Sequence, residues 1–171
     1  MTSKRVLLLG AETEIGAETA RALAEAGHTL ALIASTADAE AAFAVQRLAR
    51  KLNATTSQAI DAGNEAAVRV MVRQVAKALG GLDAVGLCPV TGTDPRHAFQ
   101  TSNVLSRLVD KEFRKAGSGI LVQVFPGEGY HSVMGDEPMP YIMASVYTKH
   151  RPNTEVAAEV VRAIECESPA L

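Results

Sequence analysis

Gly10, Glu14, Ile15 and Gly16 are the residues whose types and spacing most clearly imply chemistry. They follow Val6-Leu7-Leu8-Leu9, an apolar run too short for a helix and closed by Gly10, which reads as a strand buried on both faces. From Ile15 to Ala26 the period turns helical, with Ile15, Thr19, Leu23 and Ala26 on one face and Gly27 placed as the stop. A strand, a glycine turn and a helix N-terminus together make an anion seat: the first helical N–H groups lack partners and the helix dipole is positive there. Glu14 opposes that use. Two like charges about 4 Å apart repel by about 4 kcal/mol at an effective dielectric of 20, whereas a helix N-terminus favours an anion by only about 0.3–2 kcal/mol. The anion is therefore excluded unless Glu14 swings into solvent or meets a cation, and a first-turn acid also serves the helix N-terminus itself.

The other candidates are weighed in the same way. Ser35 and Thr36 close a second strand and either form a polar turn or donate to a ligand. Asp61-Ala62 closes a third strand, where an Asp also caps a turn. Cys88 closes a fourth, with no His or Lys beside it in sequence, and reads as a packing thiol more than a reactive one. A tyrosine has a pKa of about 10 and needs a cation one helical turn on to act as an acid near neutral pH. Tyr141 has Ser145 at that place and Lys149 two turns on; Tyr130 has Met134; Tyr147 is two residues from Lys149. His28, His97, His131 and His150 are scattered, so no metal site is expected. Asp136-Glu137 reads as a solvated pair in a loop.

The elements that must position these groups alternate. After the first strand and helix come a strand over 29–34, a helix over 38–52, a strand over 57–60, a helix over 65–79 and a strand over 82–88. A loop then leads to a helix over about 98–116, whose stripe is Thr101, Leu105, Leu108, Val109, Glu112 and Ala116. A strand over 120–125 follows, then a Pro- and Gly-bearing loop over 126–140, an ambiguous stretch over 141–149 expected to hold a turn of helix, and a last helix to about 165. Alternation of this kind implies an α/β fold: a three-layer, Rossmann-like, doubly wound parallel sheet of about five strands in the order 3-2-1-4-5. Its ligand crevice would lie at the strand C-termini where the winding reverses. Residues 1–171 are expected to form a single domain.

Composition excludes several classes. A formal net charge of -2 gives no basic footprint for nucleic acid. Apolar runs are all short, so no membrane span is expected, and residues 1–9 do not resemble a secretory leader. Cys88 and Cys166 provide no disulfide framework, which suits a cytoplasmic protein.

The turn Gly10-x-x-x-Glu14-Ile15-Gly16 resembles the T-G-x-x-x-G-I-G turn of the short-chain dehydrogenases/reductases, with Leu9 for the Thr and Glu14 for the middle Gly. Asp61-Ala62 falls where that family has an Asp that meets the adenine ring, and Gly81-Leu82-Asp83-Ala84-Val85 and Gly117 to Val122 are similar to its entries into strands four and five. The resemblance covers 4–125 well and 126–171 poorly. It implies NAD or NADP as cofactor, held by Gly10, Glu14, Ile15, Gly16, Ser35, Asp61, Ala62 and Cys88, with Tyr141 and Lys149 as catalytic candidates. No acid or Arg ends strand two, so Ser35 and Thr36 would meet a 2′-phosphate, which tilts the choice to NADP. It also implies a homo- or hetero-oligomer through helix 98–116.

The chemistry-bearing positions depart from the family. Its N-N-A-G after strand four is Leu87-Cys88-Pro89-Val90 here; its active-site Asn falls near Ala98, and its Ser near Phe125 or Pro126. No tyrosine has the Lys of Y-x-x-x-K. Three functions follow: a catalytically degenerate binding or partner subunit; an oxidoreductase acting on a small carbonyl or alcohol with a rewired site; or a binder of a small nucleotide or other ligand in the crevice near Gly10, Asp61 and Cys88, without redox chemistry.

Overall fold

The computed structural model describes residues 2–88, 95–126 and 141–166. Its strands are β1 (Arg5–Leu9), β2 (Thr29–Ala34), β3 (Thr56–Ala59), β4 (Ala84–Leu87), β5 (Ile120–Phe125) and β6 (Ile142–Tyr147). Its helices are α1 (Glu14–Glu25), α2 (Ala39–Leu52), α3 (Glu65–Leu79), α4 (Pro95–Ala116) and α5 (Asn153–Glu165). All strand pairings are parallel, and the order is β3-β2-β1-β4-β5-β6. The α/β class and the 3-2-1-4-5 core are as the alternation implies, with one strand more than the sequence reading counted.

That strand is β6, which occupies the stretch expected to hold a turn of helix. Tyr-Ile-Met-Ala-Ser-Val-Tyr is a short apolar run without period, a pattern that suits strand and buried helix alike. Pairing decides it: β5 offers an open edge, and six residues of β6 match six of β5 from Ile120↔Ile142 to Phe125↔Tyr147.

β1 shows why the sheet is central. Val6 and Leu8 belong to the core beneath α1, α2 and α5, while Leu7 and Leu9 belong to the opposite core beneath α3 and α4. All four are fully buried, and each such side chain contributes about 1.5–3 kcal/mol by leaving water. Three helices begin with a side chain accepting from the first turn: Thr13, Asp38 and Asn64. Such caps are worth about 1 kcal/mol each.

The stripe of α4 turns inward. Leu105, Val109 and Phe113 are fully buried in the core it shares with α3 and the sheet. A contact with another subunit through this helix would use its other face, where Arg107, Lys111 and Arg114 are exposed.

Candidate functional site

The turn after β1 is built on backbone contact. Gly10 N–H and Ala11 N–H both donate to Ile33 O of β2, at 2.9 and 3.1 Å. Gly10 has φ +88°, and a Cβ on it would lie 2.1 Å from Cys88 O. A Cβ on Gly16 would lie 2.0 Å from Gly10 O. Only glycine fits at either place, because real Cβ contacts do not approach so closely. Thr13 Oγ1 donates to Gly10 O at 2.9 Å and accepts from Gly16 N–H at 3.0 Å, tying the turn to α1. The N–H groups of Glu14 and Ile15 have no backbone acceptor among the described residues. They are the donors that an anion at this helix end would meet.

Glu14 is exposed as the first residue of α1. It borders a cleft of about 400 Å³ between the N-terminal ends of α1 and α5, shared with Glu12, Glu18, Arg21 and Asn153. The exposure gives its carboxylate the route into solvent that an anion on the turn requires.

Glu12 is the residue the sequence reading missed. Its Oε1 accepts from Ser35 N–H at 3.0 Å and from the Ser35 hydroxyl. Its Oε2 is buried with no hydrogen-bond partner among the described residues. Thr36 Oγ1 donates to Asp38 Oδ2 at 2.8 Å. The hydroxyls expected to meet a 2′-phosphate thus donate to carboxylates in this structure. The strand order held the signal: β1 beside β2, with Leu9 opposite Ile33, brings the residues just after β1 to the end of β2.

Around this corner, Ala62 N–H donates to Ser35 O at 3.0 Å, and Ala62 is buried. Asp61 is exposed, and its Oδ1 accepts from Gly63 N–H at 2.9 Å, the turn-capping role open to it from the start. Gly10, Glu12, Ser35 and Ala62 are therefore joined through β2 into one wall. Cys88 lies beneath it, 1% exposed, its N–H donating to Leu9 O at 2.8 Å. Burial pushes its thiol up to about 12, against a smaller opposing effect of the nearby Thr19 hydroxyl. Its role here is the floor under Gly10, and such a thiol is a poor nucleophile.

The β6 side of the sheet is different, and the expected tyrosine stands at the N-terminal end of that strand, away from the crevice. Tyr141 precedes β6 and is 9% exposed, its ring 5.1 Å from that of Phe113. Burial first, and then the charge of Asp110, raise the phenol above its ordinary value. Lys149 follows β6 at its far end and is exposed. The six residues of β6 between them span roughly 20 Å, so the strand holds the two candidates apart. Tyr147 ends β6 with its ring stacked 6.0 Å from Phe125, the residue near which the family Ser would fall. Tyr130, His131, Asp136, Glu137 and the Pro89-Val90 segment lie outside the described residues, as does the side chain of His97.

A doubly wound parallel sheet with a glycine turn at its switch point defines a nucleotide-binding class of α/β protein. The short chain dehydrogenase family model matches residues 4–126, and the chain belongs to that family. No curated protein sequence matches it. Among solved structures it is similar to a short chain dehydrogenase from Mycobacterium smegmatis, with TM-score 0.67 at 17% identity over 95% of this chain and 86% of that one. It is also similar to the NADPH-dependent 3-quinuclidinone reductase of Rhodotorula rubra, with TM-score 0.58 at 23% identity over 72% of this chain and 52% of that one. A third is the hydroxysteroid dehydrogenase of Escherichia coli, with TM-score 0.58 at 22% identity over 74% and 60%. The chain thus spans about half the length of the Rhodotorula enzyme. At these identities the likeness is one of fold.

Proposed function

We propose that this chain binds an adenine dinucleotide at the β1–α1 turn and acts as a binding or partner subunit without the family's tyrosine–lysine proton transfer. The observation that carries the second half is Tyr141, whose phenol is packed against Phe113 with its acidity weakened by burial. When bound, a nicotinamide supplies hydride chemistry, and the proton donor beside it has to come from the protein. The turn fits the diphosphate half of such a cofactor: Gly10 and Gly16 keep the backbone open, and the Glu14 and Ile15 N–H groups are there to donate. The pair implied by the resemblance is set apart, because Tyr141 and Lys149 lie at opposite ends of one strand. A partner would meet the polar face of α4 rather than its stripe, which the chain's own core uses.

The test is a turnover assay with NADH and NADPH against a panel of small ketones and aldehydes, run alongside direct binding. Cofactor binding without consumption above the uncatalysed rate is the expected outcome. Turnover that disappears in Tyr141→Phe contradicts the proposal.

A second reading, an oxidoreductase with a rewired site, draws on two observations. Tyr147 stands at the crevice end of β6, close in sequence to Lys149. The Mycobacterium smegmatis short chain dehydrogenase is covered to 86% of its length, so a chain this compact has a counterpart in fold. Turnover abolished by Tyr147→Phe and by Lys149→Ala would favour this reading.

A further inference from the structure

We propose that His28 is a pH-sensitive latch: it holds the C-terminal end of α5 to the foot of the sheet when neutral and releases it when protonated. The latch stands apart from the dinucleotide reading, at the opposite end of β1 from the glycine turn. Gly27 and His28 join α1 to β2, and His28 N–H donates to Leu23 O of α1 at 3.1 Å. The imidazole is 1% exposed. Its Nδ1 accepts from Lys4 N–H at 3.2 Å, so the proton of the neutral ring sits on Nε2. Nε2 is buried without a hydrogen-bond partner among the described residues, and it faces Glu165 Oε1 of α5 at 3.8 Å.

The second observation is what else Lys4 holds. Its ammonium donates to Ile164 O at 2.6 Å and to Cys166 O at 3.2 Å, the carbonyls that end α5. Such carbonyls have no acceptor role left within the helix and need an outside donor. One residue therefore joins the imidazole, through its backbone, to the helix end, through its side chain. The other end of α5 borders the cleft it shares with α1, so loosening the helix acts on one wall of that cleft.

Protonation places a hydrogen on Nδ1. The ring then meets Lys4 N–H donor to donor, and its charge meets the ammonium of the same residue. Burial holds the ring below its ordinary value; Glu165 opposes that and Lys4 adds to it. Of the other charges on the elements packed here, Glu25 of α1 and Arg162 of α5 are exposed, and Arg5 of β1 is bound to Asp83. The folded state thus favours the neutral ring. The latch is at full strength above the free ring's pKa of about 6.5 and weakens as pH falls below it. One proton can change the balance by at most about tenfold between pH 7.5 and 5.5, where ordinary carboxylates stay ionised.

The test is amide hydrogen exchange of the full chain at about pH 7.5 and 5.5, corrected for the intrinsic pH dependence, on the wild type and His28→Asn. The variant keeps an oxygen for Lys4 N–H and does not titrate. In the wild type, protection at residues 160–166 should fall several-fold at the lower pH, by at most about tenfold, and in His28→Asn it should hold. Unchanged protection of that stretch in the wild type overturns the latch, even where core amides lose theirs, because His28 then acts only on global unfolding. An equal loss in His28→Asn overturns it too. Should His28→Asn fail to fold, an NMR titration of the wild type decides. A ring midpoint below about 6.5 that the amides of Ile164 to Cys166 share supports the latch, and any other result overturns it.

Discussion

The turn after β1 and the end of β6 lie at the same end of one sheet, yet they are made from different material. The turn is a backbone object. Gly10 rests on Cys88 O, Gly16 rests on Gly10 O, and Thr13 ties the two ends together. Around β6 the family's chemistry depends on particular side chains, a phenol with an ammonium one helical turn away. Here that stretch is a strand, so residues four apart are far apart in space, and Tyr141 packs on Phe113. A backbone-built seat tolerates drift at most positions as long as the glycines remain, and a two-residue acid–base device is lost with either partner. The pairing that builds β6 onto β5 is the same pairing that separates Tyr141 from Lys149.

The largest effect should come from filling the turn. Gly16→Ala places a Cβ 2.0 Å from Gly10 O, and overpacking of this kind costs about 3 kcal/mol or more. The melting temperature should fall by roughly 6–12 °C for a chain of this size. Ser145→Ala on β6, by contrast, should change stability by less than about 0.5 kcal/mol. Equal tolerance at the two positions would break the comparison.

The next effect concerns the base of β1, which must hold the turn in place. Asp83 Oδ2 accepts from Arg5 N–H and Nε–H, both at 2.8 Å, and Oδ1 accepts from the guanidinium at 2.6 Å. These bonds from Arg5 hold the Asp83 carboxyl below its ordinary value. Asp83→Asn should cost about 1–2 kcal/mol, reduced from a buried pair's worth because both side chains are about a third exposed. Because the folded state favours the carboxylate, this contribution is full above the unfolded pKa of about 3.9 and is lost as pH falls through the lower folded value. Urea melts of wild type and Asp83→Asn should differ at neutral pH and converge in acid. A gap that widens in acid would have the wrong sign.

The smallest effect sharpens the other side. Tyr141→Phe should leave cofactor binding unchanged and alter stability by less than about 1 kcal/mol, since the ring, more than the hydroxyl, fills the space beside Phe113. Loss of binding in that variant would give the phenol a role denied it here.

How much of this was legible in the sequence depends on which force fixes each part. β1, α1 and the glycine turn declare themselves because a buried run, a helical period and a glycine with positive φ each leave a local mark. β6 does not, because its identity comes from the open edge of β5, whose paired residues stand 22 positions earlier in the chain. Helix α4 was visible as amphipathic, yet the stripe alone did not say whether its own core or a partner would cover it. Leu105, Val109 and Phe113 give the answer, buried against the sheet. Glu12 was hidden for a different reason. An acid in a turn looks like any solvated acid until the neighbouring strand supplies the Ser35 N–H and hydroxyl that hold it.

The most direct measurement is a crystal structure of the full chain with NADH. The account predicts the diphosphate over Gly10 and Gly16, donated to by the Glu14 and Ile15 N–H groups, and Tyr141 still packed on Phe113. A phenol and the Lys149 ammonium meeting beneath the nicotinamide, or a cofactor bound away from the turn, would contradict it.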